Sequence, residues 1–250
     1  RAESGRRSDM KVTDRWFSNR LEHDITVARW GTYGAPVLLF PTAGGDAEEV
    51  ERHKMIAHLA PLIDAGRAKV YSCDSVAGKA MAERVGTPEY RMALFNAFHE
   101  AVAEEVIPAI HSDLGSQLPV VVAGASIGAF NSLAIACRYP HLVGAAVCMS
   151  GTFGIEKLIG GRFTEDLYYS SPLHFLPGLE GPALDLLRRR FIVFASGSGE
   201  WEDVGESWTA ANLLGSKGIP NRVDDWGPSY RHDWPTWWEM LPTYLDDLLP

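Results

Sequence analysis

Residues 118–128 read LPVVVAGASIG, and this stretch decides the fold. Leu118–Ala123 is a short β-branched run with no polar alternation, as a strand covered on both faces requires. It runs straight into Gly124-Ala125-Ser126-Ile127-Gly128, a G-x-S-x-G spacing. From Ile127 to Tyr139 small and apolar residues continue as a helix, stopped before Pro140. A strand that turns at once into a helix forces its middle residue into a strained backbone conformation. Bulk at Gly124 or Gly128 would collide with neighbouring backbone. The turn lifts the Ser126 hydroxyl out at the carboxyl edge of the sheet. It also leaves the Ile127 N–H at a helix N-terminus, where partial positive charge can meet a developing oxyanion.

The same alternation extends in both directions and predicts an α/β fold with a largely parallel sheet. Upstream, Asp24–Arg29 alternates like a half-exposed strand, and Pro36–Phe40 (PVLLF) is a continuous apolar run. The loop Pro41-Thr42-Ala43-Gly44-Gly45-Asp46 follows. A helical pattern then runs from Ala47 to Ala65 with Asp46 as its N-cap, and Ala68–Cys73 is a strand. Residues 88–114 read as one long helix, with Leu94, Phe98, Val102, Val106 and Ile110 at steps of four and a kink expected at Pro108. Downstream, Leu142–Met149, Phe191–Ala195 and Asn221–Trp226 are strands; residues 204–217 and Trp234–Leu249 are helices. Residues 151–182 break the rhythm and read as an insertion over one end of the sheet, long enough to be functional. We read residues 1–15 as an N-terminal tail and 16–250 as one domain.

Composition narrows the function. The 250 residues hold 23 Lys+Arg against 32 Asp+Glu, a net charge of -9. An acidic chain without a basic stripe argues against nucleic-acid binding, and no stretch is long and apolar enough for a membrane span. Cys73, Cys137 and Cys148 are too few and too scattered for a disulfide framework. They read as buried small hydrophobes and fit a cytoplasmic location. Residues 1–9 lack the apolar core of a signal peptide. No metal site is expected: His53 and His58 point to different sides of their helix, and no HExxH occurs. No G-x-G-x-x-G follows Pro36–Phe40, so no dinucleotide cofactor is expected either. Glu48, Glu49, Glu51 and Arg52 read as a solvated helix face.

A serine hydroxyl needs a base to become a nucleophile. The order in this architecture is serine, acid, histidine. Of eight histidines only His232 lies beyond the last two strands, in Ser229-Tyr230-Arg231-His232-Asp233-Trp234-Pro235 just before the final helix. The acid belongs to the loop Ser196-Gly197-Ser198-Gly199-Glu200-Trp201-Glu202-Asp203. Glu202 is placed first, Asp203 second, and Glu200 third because it still falls in the glycine turn. A second oxyanion donor is expected from Thr42 or Ala43, with Gly44 allowing backbone to approach a substrate. Six tryptophans crowd the C-terminal quarter, and core packing explains most of them. Trp201, Tyr168 and Tyr169 are the candidates for an aromatic substrate rim.

Together, the strand–GASIG–helix, the PTAGG loop, SGSGEWED and RHDWPTWWEMLPTYL resemble the putative-esterase branch of the α/β-hydrolase superfamily. That branch includes esterase-D-like carboxylesterases, feruloyl esterases and mycolyltransferases. The resemblance runs from Trp16 to Leu249 and is most specific in His-Asp-Trp-Pro-Thr-Trp-Trp. It implies an α/β-hydrolase fold, a mostly parallel central sheet with helices on both faces and a short lid-like insertion. It implies Ser126 as nucleophile, His232 as base, the Glu202/Asp203 position as acid, and the amides of Ile127 and the Thr42 region as oxyanion hole. It also suggests Asp74-Ser75 as cleft-lining residues, although a plain turn accounts for them equally well. The expected activity is a serine carboxylesterase acting on a small-molecule ester without a cofactor. An acyltransferase using the same triad and a non-catalytic binding protein are the alternatives.

Overall fold

The computed structural model describes residue 8 and residues 10–250. Eight strands form one sheet in the order β1-β2-β4-β3-β5-β6-β7-β8. They are β1 (Lys11–Ser18), β2 (His23–Trp30), β3 (Ala35–Phe40), β4 (Ala68–Cys73), β5 (Val120–Ala125), β6 (Val143–Met149), β7 (Phe191–Ser196) and β8 (Asn221–Asp225). β1 and β2 pair antiparallel, and so do β2 and β4. Every other pairing is parallel. Residues 11–15, expected in a tail, therefore belong to an edge strand.

The apolar runs of the central strands divide by parity between two cores. Leu38, Phe40, Val120, Val122 and Phe194 enter one core; Val37, Leu39, Val121, Ala123 and Val193 enter the other. The first core is covered by α3 (Val76–Ala82), α4 (Pro88–Ala101), α5 (Ile107–Leu114), α6 (Ile127–Arg138) and α10 (Val204–Ser216). The second is covered by α1 (Glu49–Arg52), α2 (Met55–Asp64) and α11 (Trp234–Leu248). Each fully buried aliphatic side chain in these runs is worth about 1.5–3 kcal/mol, which is why strands with no polar face sit at the centre. All three cysteines are buried and free. Burial drives the Cys73 and Cys137 thiols far above their ordinary range, so they pack as small hydrophobes.

Two predicted helices are interrupted. The single helix expected over 47–65 is α1 and α2, separated at Lys54, whose φ of 64° is left-handed. Asp46 accepts from the Glu48 amide at 2.9 Å and from Arg52, so it braces the approach to α1 without being its N-cap. The helix over 88–114 contains a π-turn at Val102–Val106 between α4 and α5. A π-turn places the missing donor of Pro108 where the ladder is already disrupted, so the helix continues.

The stretch expected as a loop insertion at 151–182 is helical. It holds a 3-10 turn at Ile155–Ile159, α7 (Glu165–Ser170), α8 (Pro172–Phe175) and a second 3-10 turn at Leu176–Gly178, then enters α9 (Gly181–Leu187). The Thr164 side chain caps α7 by accepting from Leu167 N–H. Phe153, Ile155, Ile159, Leu167 and Leu176 are buried in the first core, so this segment is part of the domain's packing.

Candidate active site

Ser126 sits between β5 and α6 with φ 58° and ψ -121°. An L-residue with positive φ costs on the order of 1–3 kcal/mol and persists only where its surroundings enforce it. Here the enforcement is steric and specific. A side chain on Gly124 would lie 2.5 Å from the Gly128 backbone; one on Gly128 would lie 2.6 Å from the Phe40 carbonyl oxygen. Ser126 N–H is tied to the Met149 carbonyl at 3.0 Å. Ile127 is the first residue of α6, so its N–H has no intrahelical acceptor.

Ser126, Ile127 and Ala43 line the floor of a cleft of about 810 Å³. One wall is built from the end of α3 and the start of α4, including Met81, Arg84, Pro88 and Arg91. The facing wall is the segment after β6, including Thr152, Lys157, Ile159 and Arg162. A cleft of this size accommodates a small organic ligand.

The loop after β7 and the loop that carries His232 are laced together. Ser198 N–H donates to the Gly227 carbonyl, Gly199 N–H to Tyr230, and His232 N–H to Glu200, at 3.0, 3.0 and 3.1 Å. Gly199 faces the Tyr230 and Pro228 carbonyls so closely that a side chain there would lie 2.5 and 2.8 Å away. The glycines are thus what lets the two loops touch. The turn sends neighbouring residues in opposite directions. Trp201 has φ 66° and is 84% exposed, whereas the Glu202 side chain is 1% exposed. His232 Nδ1 stands 3.8 Å from Glu202 Oε2, which leaves Nε2 on the other edge of the ring.

The three candidate carboxylates take three different positions. Glu202 Oε1 accepts from the Ser150 hydroxyl at 2.5 Å, and Oε2 from the Ser196 hydroxyl at 3.0 Å. Asp203 caps α10 by accepting from Gly205 N–H at 3.0 Å. Glu200 is exposed and lies 3.6 Å from Arg231. Only Glu202 is both buried and beside His232. Ser150 also accepts from Trp237 Nε1 at 2.9 Å, and the Trp237 ring meets His232 edge-on at 5.3 Å. Ser150, Ser196 and Trp237 carry no spacing signal of their own; Ser196 and Trp237 lie in stretches that the sequence marks, SGSGEWED and RHDWPTWWEMLPTYL, and Ser150 does not.

The loop after β3 corrects two expectations. The Thr42 N–H donates to Glu49 Oε2 and the Thr42 hydroxyl to Glu49 Oε1, both at 2.7 Å. Thr42 is therefore not a free oxyanion donor. Ala43 is the residue of this loop that reaches the cleft, and no acceptor faces its N–H among the described residues. Glu49, read as solvated, is buried at 7% exposure. Glu51 likewise has partners, accepting from Trp30 Nε1 and Lys11. Gly44 is exposed with open space around it and lies off the cleft lining; Gly45 is the position crowded by Glu49.

The expected aromatic rim is not assembled at the cleft. Trp201, Tyr168 and Tyr169 do not line it, and Tyr168 packs edge-on against Tyr169. Trp234 and Trp238 stack on His53 and His58 at 4.6 and 4.8 Å, so these tryptophans and histidines join α11 to α1 and α2. Asp74 accepts from the Thr26 and Ala47 amides at 2.8 and 3.0 Å. It ties β2 to the loop before α1, and with Ser75 it borders a separate hollow of about 420 Å³. Among the described residues no cluster of ligands could hold a metal ion, and no helix is long and apolar enough to cross a membrane.

Solved structures share this architecture. A ferulic acid esterase superposes with a TM-score of 0.73 at 16% identity, over 96% of this chain and 97% of its own. The S-formylglutathione hydrolase of Staphylococcus aureus gives 0.65 at 13% identity, over 96% of each chain. MPT51 of Mycobacterium tuberculosis gives 0.65 at 17% identity, over 94% of this chain and 97% of its own. At these identities the likeness establishes the fold, the α/β-hydrolase arrangement that the sequence resembles. Comparison with curated protein sequences finds no match. Residues 42–247, from the loop after β3 to the last turn of α11, match the family described as "Putative esterase", and the chain belongs to that family.

Proposed function

We propose that this esterase-family enzyme is a serine carboxylesterase working through an acyl-enzyme on Ser126. The observation that carries the reading is the left-handed Ser126 on the floor of the cleft. It fits a reaction in which the hydroxyl must stand clear of the sheet to meet a carbonyl carbon.

His232 Nε2 takes the Ser126 proton as the oxygen attacks the ester carbon. Glu202, facing Nδ1, holds the ring and offsets the charge the imidazolium gains. The carbonyl oxygen becomes an oxyanion between the Ile127 and Ala43 amides. His232 then gives its proton to the departing alcohol oxygen. Water, deprotonated by His232, attacks the acyl carbon; the acid leaves and the proton returns to Ser126. The two serine hydroxyls and the edge of Trp237 fix Glu202 and His232 without supplying charge.

A fluorophosphonate probe tests this reading by intact mass. Wild type should gain one adduct and Ser126→Ala none, with ester hydrolysis lost in parallel. An unlabelled, folded wild type would overturn it and favour a non-catalytic binding role. If acyl transfer to an added alcohol outpaced release of the free acid, the protein would be an acyltransferase with the same triad.

A further inference from the structure

The chain carries a net charge of -9, yet every charged residue lining the Ser126 cleft is a cation: Arg84, Arg91, Lys157 and Arg162. Two of the four are already balanced. Lys157 is paired with Glu206, whose carboxylate also accepts from the Phe153 and Gly154 amides at 2.9 Å. Arg162 lies 2.7 Å from Glu89. Arg84 and Arg91 have no carboxylate within salt-bridge distance among the described residues.

Arg91 is the more telling of the pair. It is 7% exposed. Its Nη1 donates to the Gly86 and Val85 carbonyls at 2.9 and 3.3 Å. Its Nε is buried with no partner. A buried guanidinium with only carbonyl partners leaves its positive charge uncompensated, which an anion relieves. The two carbonyls it holds belong to the turn that carries Arg84. Arg84 itself has φ 55° and Gly86 φ 63°, so the turn is a tight left-handed one. Arg91 therefore has two features at once: it clamps the loop that positions a second arginine at the cleft, and it keeps a donor edge unspent. Guanidinium donors match carboxylate and phosphate oxygens in geometry as well as charge.

We propose that Arg84 and Arg91 form an anion subsite and that the enzyme's substrates are esters bearing a carboxylate or phosphate group. This rests on the serine-esterase reading of the same cleft. In an acidic protein the subsite has a second effect. It makes the reactive cleft a local positive region on a surface that otherwise repels anions, so the charged ester is drawn to Ser126 and not elsewhere.

The test compares matched esters. 4-Nitrophenyl glutarate monoester and 4-nitrophenyl 4-phosphonobutanoate carry the anion on the acyl side, as carboxylate and phosphonate; 4-nitrophenyl valerate is their neutral match. 4-(Butanoyloxy)benzoate carries it on the leaving side, against phenyl butyrate. Fluorophosphonate labelling of Ser126 is read first, because an unlabelled enzyme would overturn the serine-esterase reading itself. With labelling intact, at least one anionic ester should exceed its neutral match in kcat/KM by about 10- to 100-fold, the size of one or two charge-assisted hydrogen bonds. That ratio should shrink in 0.5 M NaCl and collapse in Arg84→Gln. It should survive in Arg189→Gln, which removes one exposed charge outside the cleft. Which anionic ester wins identifies the group and its side. Equal rates for every matched pair in labelled wild type would overturn the subsite alone. So would a preference that Arg84→Gln leaves intact. Arg91→Lys adds a second reading: thermal melting separates loss of the 84–86 clamp from loss of the preference.

Discussion

The loops after β3 and after β7 both leave the carboxyl end of the sheet, with β5 and β6 between them, and each closes around a buried carboxylate. In the first, Glu49 binds the amide and hydroxyl of one residue, Thr42. In the second, Glu202 binds two hydroxyls from different strand ends, Ser150 and Ser196, and faces His232. Both carboxylates are satisfied, but only Glu49 has a backbone amide among its donors. An amide is a fixed donor, so Glu49 sets the shape of the backbone. A hydroxyl rotates, so the donors of Glu202 can follow small movements of its carboxylate. Burial of a carboxylate at this end of the sheet thus does not by itself distinguish the two; their donors do.

Substitutions can break that contrast, and the largest effect should come from Glu202→Gln. It keeps one acceptor for a serine hydroxyl but loses the charge facing His232. We expect kcat to fall by about 10³-fold, with KM moving little, in a steady-state ester assay. Retention of the wild-type rate would remove Glu202 from the acid role. Glu49→Gln should act on shape. Thr42 keeps one partner and loses another, so urea unfolding should report a loss of about 1–3 kcal/mol. The rate should fall by about 10-fold as the Ala43 amide loses its setting, less than the 10²–10³ expected for outright removal of an oxyanion donor. Asp203→Ala sharpens the comparison from inside the same loop. It removes the α10 cap and should cost about 1 kcal/mol of stability, with hydrolysis within about twofold of wild type. Glu200→Gln should do least. Its exposed pairing with Arg231 is worth under about 1 kcal/mol, and both melting and turnover should stay near wild type.

The parts of the fold that could be read from sequence are those where burial is complete. PVLLF, VVVA and FIVFA are strands with two covered faces, and they carry no polar residue to confuse the period. Edge strand β1 escaped the same reading because KVTDRWFS is mostly exposed; its order comes from pairing with β2, not from an apolar face. The break at Lys54 escaped because a single left-handed residue leaves the composition of the helix unchanged. At the site, the strand–turn–helix around G-x-S-x-G and the place of His232 just before the last helix were legible, because both follow from chain order. The choice among Glu200, Glu202 and Asp203 was not. Adjacent residues in a tight turn point in different directions, and only the positive φ of Trp201 decides which goes inward. Glu49 was misread for a related reason: acidic residues at the start of a helix look like a solvated face until a loop folds back over one of them. Arg84 and Arg91 gave no signal, since a charge in the turn after α3 or at the start of α4 looks like any surface charge.

The two outermost strands have a consequence for the behaviour of many copies together. β1 pairs its charges across to β2 through Arg15–Asp24 and Arg29–Asp14, and β8 carries Arg222, Asp224 and Asp225 in five residues. A strand arriving from another copy would have to dehydrate those charges before gaining a single ladder bond. The sheet is therefore closed to growth at both sides. An enzyme whose centre is a set of bare apolar β-segments can thus be crowded without its strands templating one another into fibres.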